Sequence, residues 1–172
     1  RLRVPDLLDG VGSASCLEAH EAAARFPADL AYLDPPHNQH SYLGNYHVWE
    51  SLVRWDKPDV YGVAMKRVDV RERSSPFNRR GRIAEAFRSL LDAVRARFLV
   101  VSFSDEGYLP VEALRAMLAE RGEVRVVELP HRRYIGSRIG IYNPQGEKVG
   151  VPGRSTNREH LFIVELGMVP AA

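Results

Sequence analysis

Cysteine and long hydrophobic runs are almost absent from this sequence. Its 172 residues include a single cysteine, Cys16, which rules out a disulfide framework and a cysteine-rich metal site. The longest apolar runs, such as residues 98–101, are far shorter than the roughly 20 residues that span a bilayer. No apolar leader follows a charged start, so secretion is not indicated. We therefore expect a cytoplasmic protein without a membrane partner.

Neither sign of charge is in large excess, because the formal net charge is only +2. So small a net charge does not by itself indicate a nucleic-acid partner. Arginine nevertheless supplies all but three of the 24 basic residues, and a guanidinium can bind phosphate through two parallel hydrogen bonds. With 45% hydrophobic residues, the chain can form one core but is too short for two full domains. Residues 1–172 are therefore predicted to be a single domain.

The hydrophobic pattern alternates between helical and strand-like stretches. It predicts a helix at 14–25 with Ser13 as N-cap and Cys16 on its apolar face, a buried strand at 29–34, a helix around 48–53, a helix at 83–94, an interior parallel strand at 97–103, a helix from Pro110, and strands at 124–129 and 161–166. A long, glycine-punctuated excursion at 135–158 precedes the last strand. This order predicts an α/β fold whose sheet has an antiparallel end.

Basic residues are concentrated in one segment. Residues 66–82 hold seven basic and two acidic side chains and show no clear period, which predicts a long basic loop. Such a loop either is a solvated surface or contacts an anionic ligand. The candidate contact residues are Arg71, Arg73, Arg79 and Arg80, together with the pair Arg132 and Arg133 after a predicted strand.

The candidate catalytic residues are Asp34, Pro35, Pro36 and His37, which directly follow the predicted strand at 29–34. Ligands of open α/β sheets bind outside the carboxyl ends of the strands. A carboxylate and a backbone carbonyl that accept hydrogen bonds from the exocyclic amine of a nucleobase localise its lone pair and offset developing positive charge. The prolines remove backbone donors and restrict the turn. A flat side chain after them can stack on an extruded base.

This sequence resembles the Dam-like N6-adenine DNA methyltransferases around that motif. The segments that carry the resemblance are residues 33–39, 42–47, 101–107, 128–134 and 157–162. Only the Asp-Pro-Pro motif is specific, and the order of the other segments supports it across about residues 27–166. The resemblance implies a Rossmann-like, S-adenosylmethionine-dependent methyltransferase fold, of which this chain holds the C-terminal part of the sheet with an antiparallel last strand.

The resemblance also implies a reaction and roles for residues. The reaction is site-specific methylation of the adenine amino group in double-stranded DNA, with S-adenosylmethionine as methyl donor and no metal. Asp34 and the carbonyl of Pro35 would hold the amine, and Asp34 would also border the cofactor. Pro36 would shape the turn, and His37 would stack on the flipped base. The six arginines named above would contact phosphates, which position DNA without reading its sequence.

Two departures from the family pattern matter. The family usually has Tyr or Phe at the position of His37. Its glycine-rich cofactor turn and its target-recognition region precede the Asp-Pro-Pro motif, whereas only 33 residues precede Asp34 here. We interpret Gly10 and Gly12 as an ordinary turn. The chain is thus expected to be the C-terminal part of a methyltransferase catalytic domain, with an N-terminal methyltransferase fragment or subunit as its partner.

Other functions stay open at this point. The same chemistry could act on cytosine or on a protein amide, although those enzymes more often carry Ser or Asn at the position of Asp34. A non-catalytic DNA-binding half or subunit of a split methyltransferase is an alternative from another class. The histidines at positions 40, 47, 131 and 160 show no metal-ligand spacing, so no metal is predicted.

Overall fold

The structure, a computed structural model, describes residues 9–132, 141–143, 145, 147–150 and 156–167. The helices are α1 (Ala19–Arg25), α2 (Tyr42–Arg54), α3 (Asp69–Glu72), α4 (Ile83–Ala93) and α5 (Val111–Ala119), with a 3₁₀ turn at Pro76–Asn78. The strands are β1 (Ala28–Leu33), β2 (Val60–Tyr61), β3 (Lys66–Arg67), β4 (Ala96–Ser104), β5 (Glu123–Arg132), β6 (Ile141–Tyr142), β7 (Lys148–Gly150) and β8 (Thr156–Glu165). No helix within these ranges is long and apolar enough to cross a membrane.

Four strands form the main sheet, in the order β1-β4-β8-β5. β1 runs parallel to β4, whereas β8 is antiparallel to both β4 and β5. Two small hairpins, β2-β3 and β6-β7, lie outside this sheet. The mixed sheet confirms the predicted α/β class and the antiparallel last strand.

One face of the main sheet is covered by helices and carries the core. Leu99 and Phe103 of β4 and Phe162 of β8 are fully buried on this face, as are Phe87 of α4 and Leu114 of α5. Successive side chains of a strand point to opposite faces. The residues that alternate with the buried set on β4 and β8 are only half-buried. Within the described residues, the second face of the sheet therefore lacks a complete cover.

The strongly periodic elements are confirmed by the structure. The helix predicted at 83–94 is α4, the strand at 97–103 is β4, and the helix after Pro110 is α5. The predicted last two strands are β5 and β8. The helix predicted around 48–53 is the second half of α2, but its apolar side chains, including Trp49 and Val53, are exposed. Most of the excursion at 135–158 lies outside the described residues.

The N-terminal helix prediction was wrong in extent. α1 begins only at Ala19, and its N-cap is Glu18 rather than Ser13. Serine side chains compete for backbone hydrogen bonds and disfavour helix interiors, and the stretch before α1 holds Ser13 and Ser15. Cys16 consequently precedes the helix and is exposed, so the prediction that it lies on the apolar face of this helix was also wrong.

β1 is not the buried strand that its apolar run predicted. Leu30 and Tyr32 are 54% and 56% exposed. They pair in register with Phe98 and Val100 of β4, so they lie on the uncovered face. Within the described residues β1 also has a partner strand on one side only. Its apolar composition reflects a surface that these residues leave open.

The segment at 66–82 is not one long loop, because it contains β3, α3 and the 3₁₀ turn. The contacts of Arg67 hold β3 and α3 in place. This residue is only 3% exposed. Its two terminal nitrogens lie 2.6 and 2.9 Å from the Asp56 carboxylate, and its Nε donates to Asp69 at 3.1 Å. It also donates to the Ser51 hydroxyl of α2 at 3.1 Å. One arginine thus joins β3 and α3 to α2.

This ion cluster predicts a pH-dependent contribution to stability. Hydrogen bonds from Arg67 lower the pKa of Asp56 and of Asp69. A carboxylate with a lowered folded-state pKa stabilises the fold above its ordinary pKa of about 3.9, and the contribution is lost as the pH falls through the folded-state value. Arg67→Met should therefore lower the Tm at pH 7, and its difference from the unmodified chain should shrink below about pH 4.

Thermal melts between pH 7 and pH 3 measure this difference. Arg97→Met is a matched control, because Arg97 is exposed and its contacts are a pair with Glu165 at 3.9 Å and the ring of the adjacent Phe98 at 4.9 Å, and exposed pairs contribute little. A Tm gap for Arg67→Met that stayed constant down to pH 3 would contradict the assigned role of the two carboxylates.

Candidate active site

The predicted catalytic residues lie where the sequence placed them, directly after β1 at the carboxyl end of the strand. Leu33, the last residue of β1, pairs with Val101 of β4, so the turn lies beside the carboxyl-terminal half of β4. Asp34 is exposed and Pro35 is buried, while Pro36 and His37 are half-buried. The Asp34 carboxylate is thus available to a ligand at this edge of the sheet.

Tyr42, at the start of α2, borders the Asp34 carboxylate. Its hydroxyl donates to the backbone carbonyl of Asp34 at 3.1 Å. Partial burial and then the negative charge of Asp34 raise the pKa of the Tyr42 phenol. The hydroxyl is therefore a protonated donor at neutral pH. Sequence reasoning did not single out Tyr42, although it stands only eight residues after Asp34.

The backbone N–H of Tyr108 and the side chain of Asn78 hold the backbone that follows the Asp-Pro-Pro motif. The amide of Tyr108, in the β4–α5 loop, donates to the carbonyl of His37 at 2.7 Å, and the Tyr108 hydroxyl donates to Gln39 at 2.9 Å. The side-chain amide of Asn78 donates to the carbonyl of Asn38 at 2.7 Å. Tyr108 could have been suspected, since it follows the neighbouring parallel strand. No sequence signal pointed to Asn78.

The ring of His37 packs on the core rather than standing free in solvent. Its centroid lies 5.5 Å from that of Phe103, with the two planes tilted by 59°. Its Nδ1 is buried and has no hydrogen-bond partner among the described residues. The ring is therefore oriented by packing, and one of its polar atoms is left without a partner.

A cavity of about 290 Å³ adjoins the motif. Its walls include Asp34, Pro35 and Pro36, Tyr32 and Leu33 of β1, His20 of α1 and Phe77 of the 3₁₀ turn. Small-molecule sites typically measure about 300–1,000 Å³, so this space is at the lower limit for a ligand. It places a partly apolar hollow beside the exposed Asp34 carboxylate.

The predicted DNA-contacting arginines are exposed but differ in their surroundings. Arg71 stacks on the Tyr61 ring at 3.7 Å, and Arg80 lies 4.9 Å from the ring of Tyr108. Arg73 pairs with Glu50 at 3.5 Å, and Arg79 donates to the Ser74 hydroxyl at 2.6 Å. Arg80 is therefore linked to the Asp-Pro-Pro turn, because the backbone N–H of Tyr108 donates to the carbonyl of His37.

Arg132 lies further from the motif. It ends β5 and is exposed, at the same edge of the sheet as the carboxyl end of β1. Three strand spacings, about 14 Å, separate these two strands. Arg133 lies outside the described residues.

Among the residues that the structure describes, no group of three His, Cys, Asp or Glu side chains could hold a metal ion.

Comparison with known proteins identifies the family. A family model for the D12 class N6 adenine-specific DNA methyltransferases matches residues 9–117. The type II methyltransferase M.FokI of Planomicrobium okeanokoites is 31% identical over 120 residues, which cover 68% of this chain and 18% of that protein. The modification methylase StsI of Streptococcus sanguinis is 29% identical over 120 residues, which again cover 68% of this chain and 18% of that protein.

A viral relative is similar over a slightly shorter stretch. The type II methyltransferase M.CviAII of Paramecium bursaria Chlorella virus 1 is 33% identical over 106 residues, which cover 62% of this chain and 31% of that protein. The matched part of the chain therefore spans less than a third of each of these three relatives. No solved structure matches the chain. The family match extends over well more than half of the 172 residues, and the chain belongs to the D12 class of N6 adenine-specific DNA methyltransferases.

Proposed function

We propose that this chain contributes the amine-binding part of an S-adenosylmethionine-dependent methyltransferase that modifies the N6 atom of adenine in double-stranded DNA. The observation that carries the proposal is the exposed carboxylate of Asp34 at the carboxyl end of β1, in a chain of the D12 class. Relatives are named modification methylases and type II methyltransferases.

Asp34 and Pro35 are proposed to prepare the adenine amine for transfer. The carboxylate and the Pro35 carbonyl accept hydrogen bonds from the two N–H groups of the amine. These bonds keep the nitrogen lone pair from delocalising into the ring and offset the positive charge that develops on nitrogen. When bound, S-adenosylmethionine would supply a methyl group on a positively charged sulfur; the new nitrogen–carbon bond forms as the carbon–sulfur bond breaks, and the methylated nitrogen then loses one proton to solvent. Proline has no backbone N–H, so the turn offers the amine acceptors rather than donors.

His37 is proposed to stack on the extruded adenine. Packing against Phe103 orients its ring, and Tyr108 holds its backbone carbonyl. Pro36 keeps the intervening backbone in an extended turn. The exposed arginines Arg71, Arg73, Arg79, Arg80 and Arg132, together with Arg133, are proposed to bind backbone phosphates and so position the duplex at this edge.

The described residues fit only one side of a cofactor site. Asp34 and the cavity beside it provide a carboxylate and an apolar wall. Gly10 and Gly12, however, are exposed, and a Cβ placed on either would meet nothing within 4 Å. They do not form a cradle for a nucleoside. We infer that the glycine-rich part of the site comes from an N-terminal methyltransferase fragment or subunit.

The open surface of the main sheet supports this inference. Parallel strands are normally buried on both faces and between neighbours. Within the described residues β1 lacks a partner on its outer edge, and Leu30 and Tyr32 leave its second face exposed. An added parallel strand beside β1, with helices over that face, would pair the free backbone groups and cover the apolar side chains. With this addition, the chain, residues 1–172, would form part of one catalytic domain.

The cofactor inference predicts that the chain alone binds S-adenosylmethionine weakly or not at all. Isothermal calorimetry on the 172-residue chain should show no binding at micromolar concentrations. The reconstituted enzyme, defined as this chain joined to or co-expressed with the N-terminal methyltransferase fragment or subunit inferred above, should bind the cofactor and methylate adenine in duplex DNA. Micromolar binding to the chain alone would mean that residues 1–28 complete the cofactor site.

A further inference from the structure

A second cavity, of about 340 Å³, lies beside the start of α2. It is bounded on one side by residues 39–41, which come directly after the Asp-Pro-Pro turn. The opposite walls come from β3 and from the segments that follow α3 and the 3₁₀ turn. This cavity has no part in the amine-binding chemistry proposed above.

Its charge is of one sign. Lys66 of β3, Arg73 after α3 and Arg79 after the 3₁₀ turn all line it, whereas none of its described lining residues is Asp or Glu. Arg73 retains one pair with Glu50, at 3.5 Å. Within the described part of the chain, Lys66 forms no ion pair. Three cations that repel each other are thus held around one hollow, an arrangement that an anion would stabilise.

The hollow is kept open and held in place by its surroundings. A Cβ at Gly44 would lie 2.7 Å from the Ser41 hydroxyl and 3.9 Å from Nζ of Lys66, so only glycine leaves this space unobstructed. The neighbour of Lys66 in β3 is Arg67, whose ion cluster joins the strand to α2. The strand that carries Lys66 is therefore fixed to α2.

The hollow is also connected to the amine-binding turn. Asn78 lines the cavity and donates to the carbonyl of Asn38 at 2.7 Å. Ser41, the N-cap of α2, stands next to Tyr42, which donates to the carbonyl of Asp34. An anion in the cavity would accordingly be held at a set position relative to Asp34.

We propose that this cavity, named here the cationic pocket, binds a backbone phosphate of the substrate DNA close to the nucleotide held at the Asp-Pro-Pro turn. This inference rests on the proposed function, which makes duplex DNA the substrate. An ammonium and two guanidinium groups suit the anionic oxygens of a phosphodiester. Lys66, which begins the basic segment but was not among its named candidate contact residues, is the positioning residue that distinguishes the pocket from a general basic surface.

The chain offers a matched control, because it has only three lysines, Lys57, Lys66 and Lys148. In the reconstituted enzyme, Lys66→Gln should reduce the slope of log affinity against log salt by about 0.9, as expected for one lost phosphate contact. Lys148→Gln removes the same charge from an exposed site outside the pocket and should leave the slope unchanged. Lys66→Arg should restore the slope. Equal slopes for Lys66→Gln and Lys148→Gln would overturn the proposal.

A footprint on the unmodified reconstituted enzyme gives a test without any substitution. Duplex DNA should slow acetylation of Lys66 and leave the rates of Lys57 and Lys148 unchanged, as measured by mass spectrometry of the peptides. Inorganic phosphate at the same ionic strength is the second arm. Protection by phosphate but not by duplex would assign the pocket to a small anion and overturn the proposal. Adenine methylation with no protection of Lys66 would overturn the pocket alone, whereas absence of adenine methylation would overturn the proposed function.

Discussion

Replacing Asp34 by alanine should lower the turnover of the reconstituted enzyme by about a hundredfold to a thousandfold, the usual cost of losing one preorganised electrostatic contact to the transition state. The carboxylate is the exposed acceptor at the end of β1, and alanine leaves the amine with the Pro35 carbonyl alone. Asp34→Asn keeps one acceptor oxygen and loses the charge, so its turnover should lie between those of alanine and aspartate. Transfer of a labelled methyl group into duplex DNA measures all three.

A matched control is available on α4. Asp92→Ala also removes one exposed carboxylate, whose contact is an ion pair with Arg121 at 2.8 Å. Since exposed pairs of this kind contribute little to stability, turnover should stay unchanged. Full activity of Asp34→Ala would contradict the proposed mechanism, which requires an acceptor carboxylate at this position.

The second large effect is expected on DNA binding. The quadruple variant replaces Arg71, Arg73, Arg79 and Arg80 by alanine. If all four contact phosphates, the magnitude of the slope of log affinity against log salt should fall by up to about 3.6, and binding should weaken about equally for all sequences. Because Arg73 is paired with Glu50, the observed reduction is expected below that maximum. Fluorescence anisotropy over a salt series measures both quantities.

Four exposed arginines elsewhere in the fold provide the control for this variant. The control variant replaces Arg25, Arg88, Arg97 and Arg115 by alanine. It removes the same charge, but Arg25 ends α1 just before β1 and Arg97 lies near the start of β4, so both stand at the amino end of the sheet. Equal slopes for the two quadruple variants would show that residues 66–82 attract DNA only through overall charge.

Elements whose signal is local could be predicted from the sequence. The helical period of Ile83, Phe87 and Leu90 predicted α4, and all three are buried. The continuous apolar run at 97–103 predicted β4. The position of Asp34 after a strand was likewise predictable, because the motif is contiguous and strand ends are where sites form.

Features that depend on distant partners could not be predicted. Arg67 looked like one basic residue among seven, and its burial requires Asp56 and Ser51 of other segments to converge on it. The exposure of β1 depends on what lies beside it, which its own apolar run does not reveal. Asn78 likewise reaches Asn38 across 40 positions of the sequence, and side-chain contacts at that separation leave no periodic signal.

The most direct test of the proposed function is to identify the nucleoside that the reconstituted enzyme methylates. Duplex DNA would be incubated with methyl-labelled S-adenosylmethionine, digested to nucleosides and analysed by mass spectrometry. We expect label in N6-methyladenine, with a loss of about a hundredfold to a thousandfold in the Asp34→Ala variant. Label in methylcytosine or in protein instead of adenine, or equal N6-methyladenine from Asp34→Ala, would contradict it.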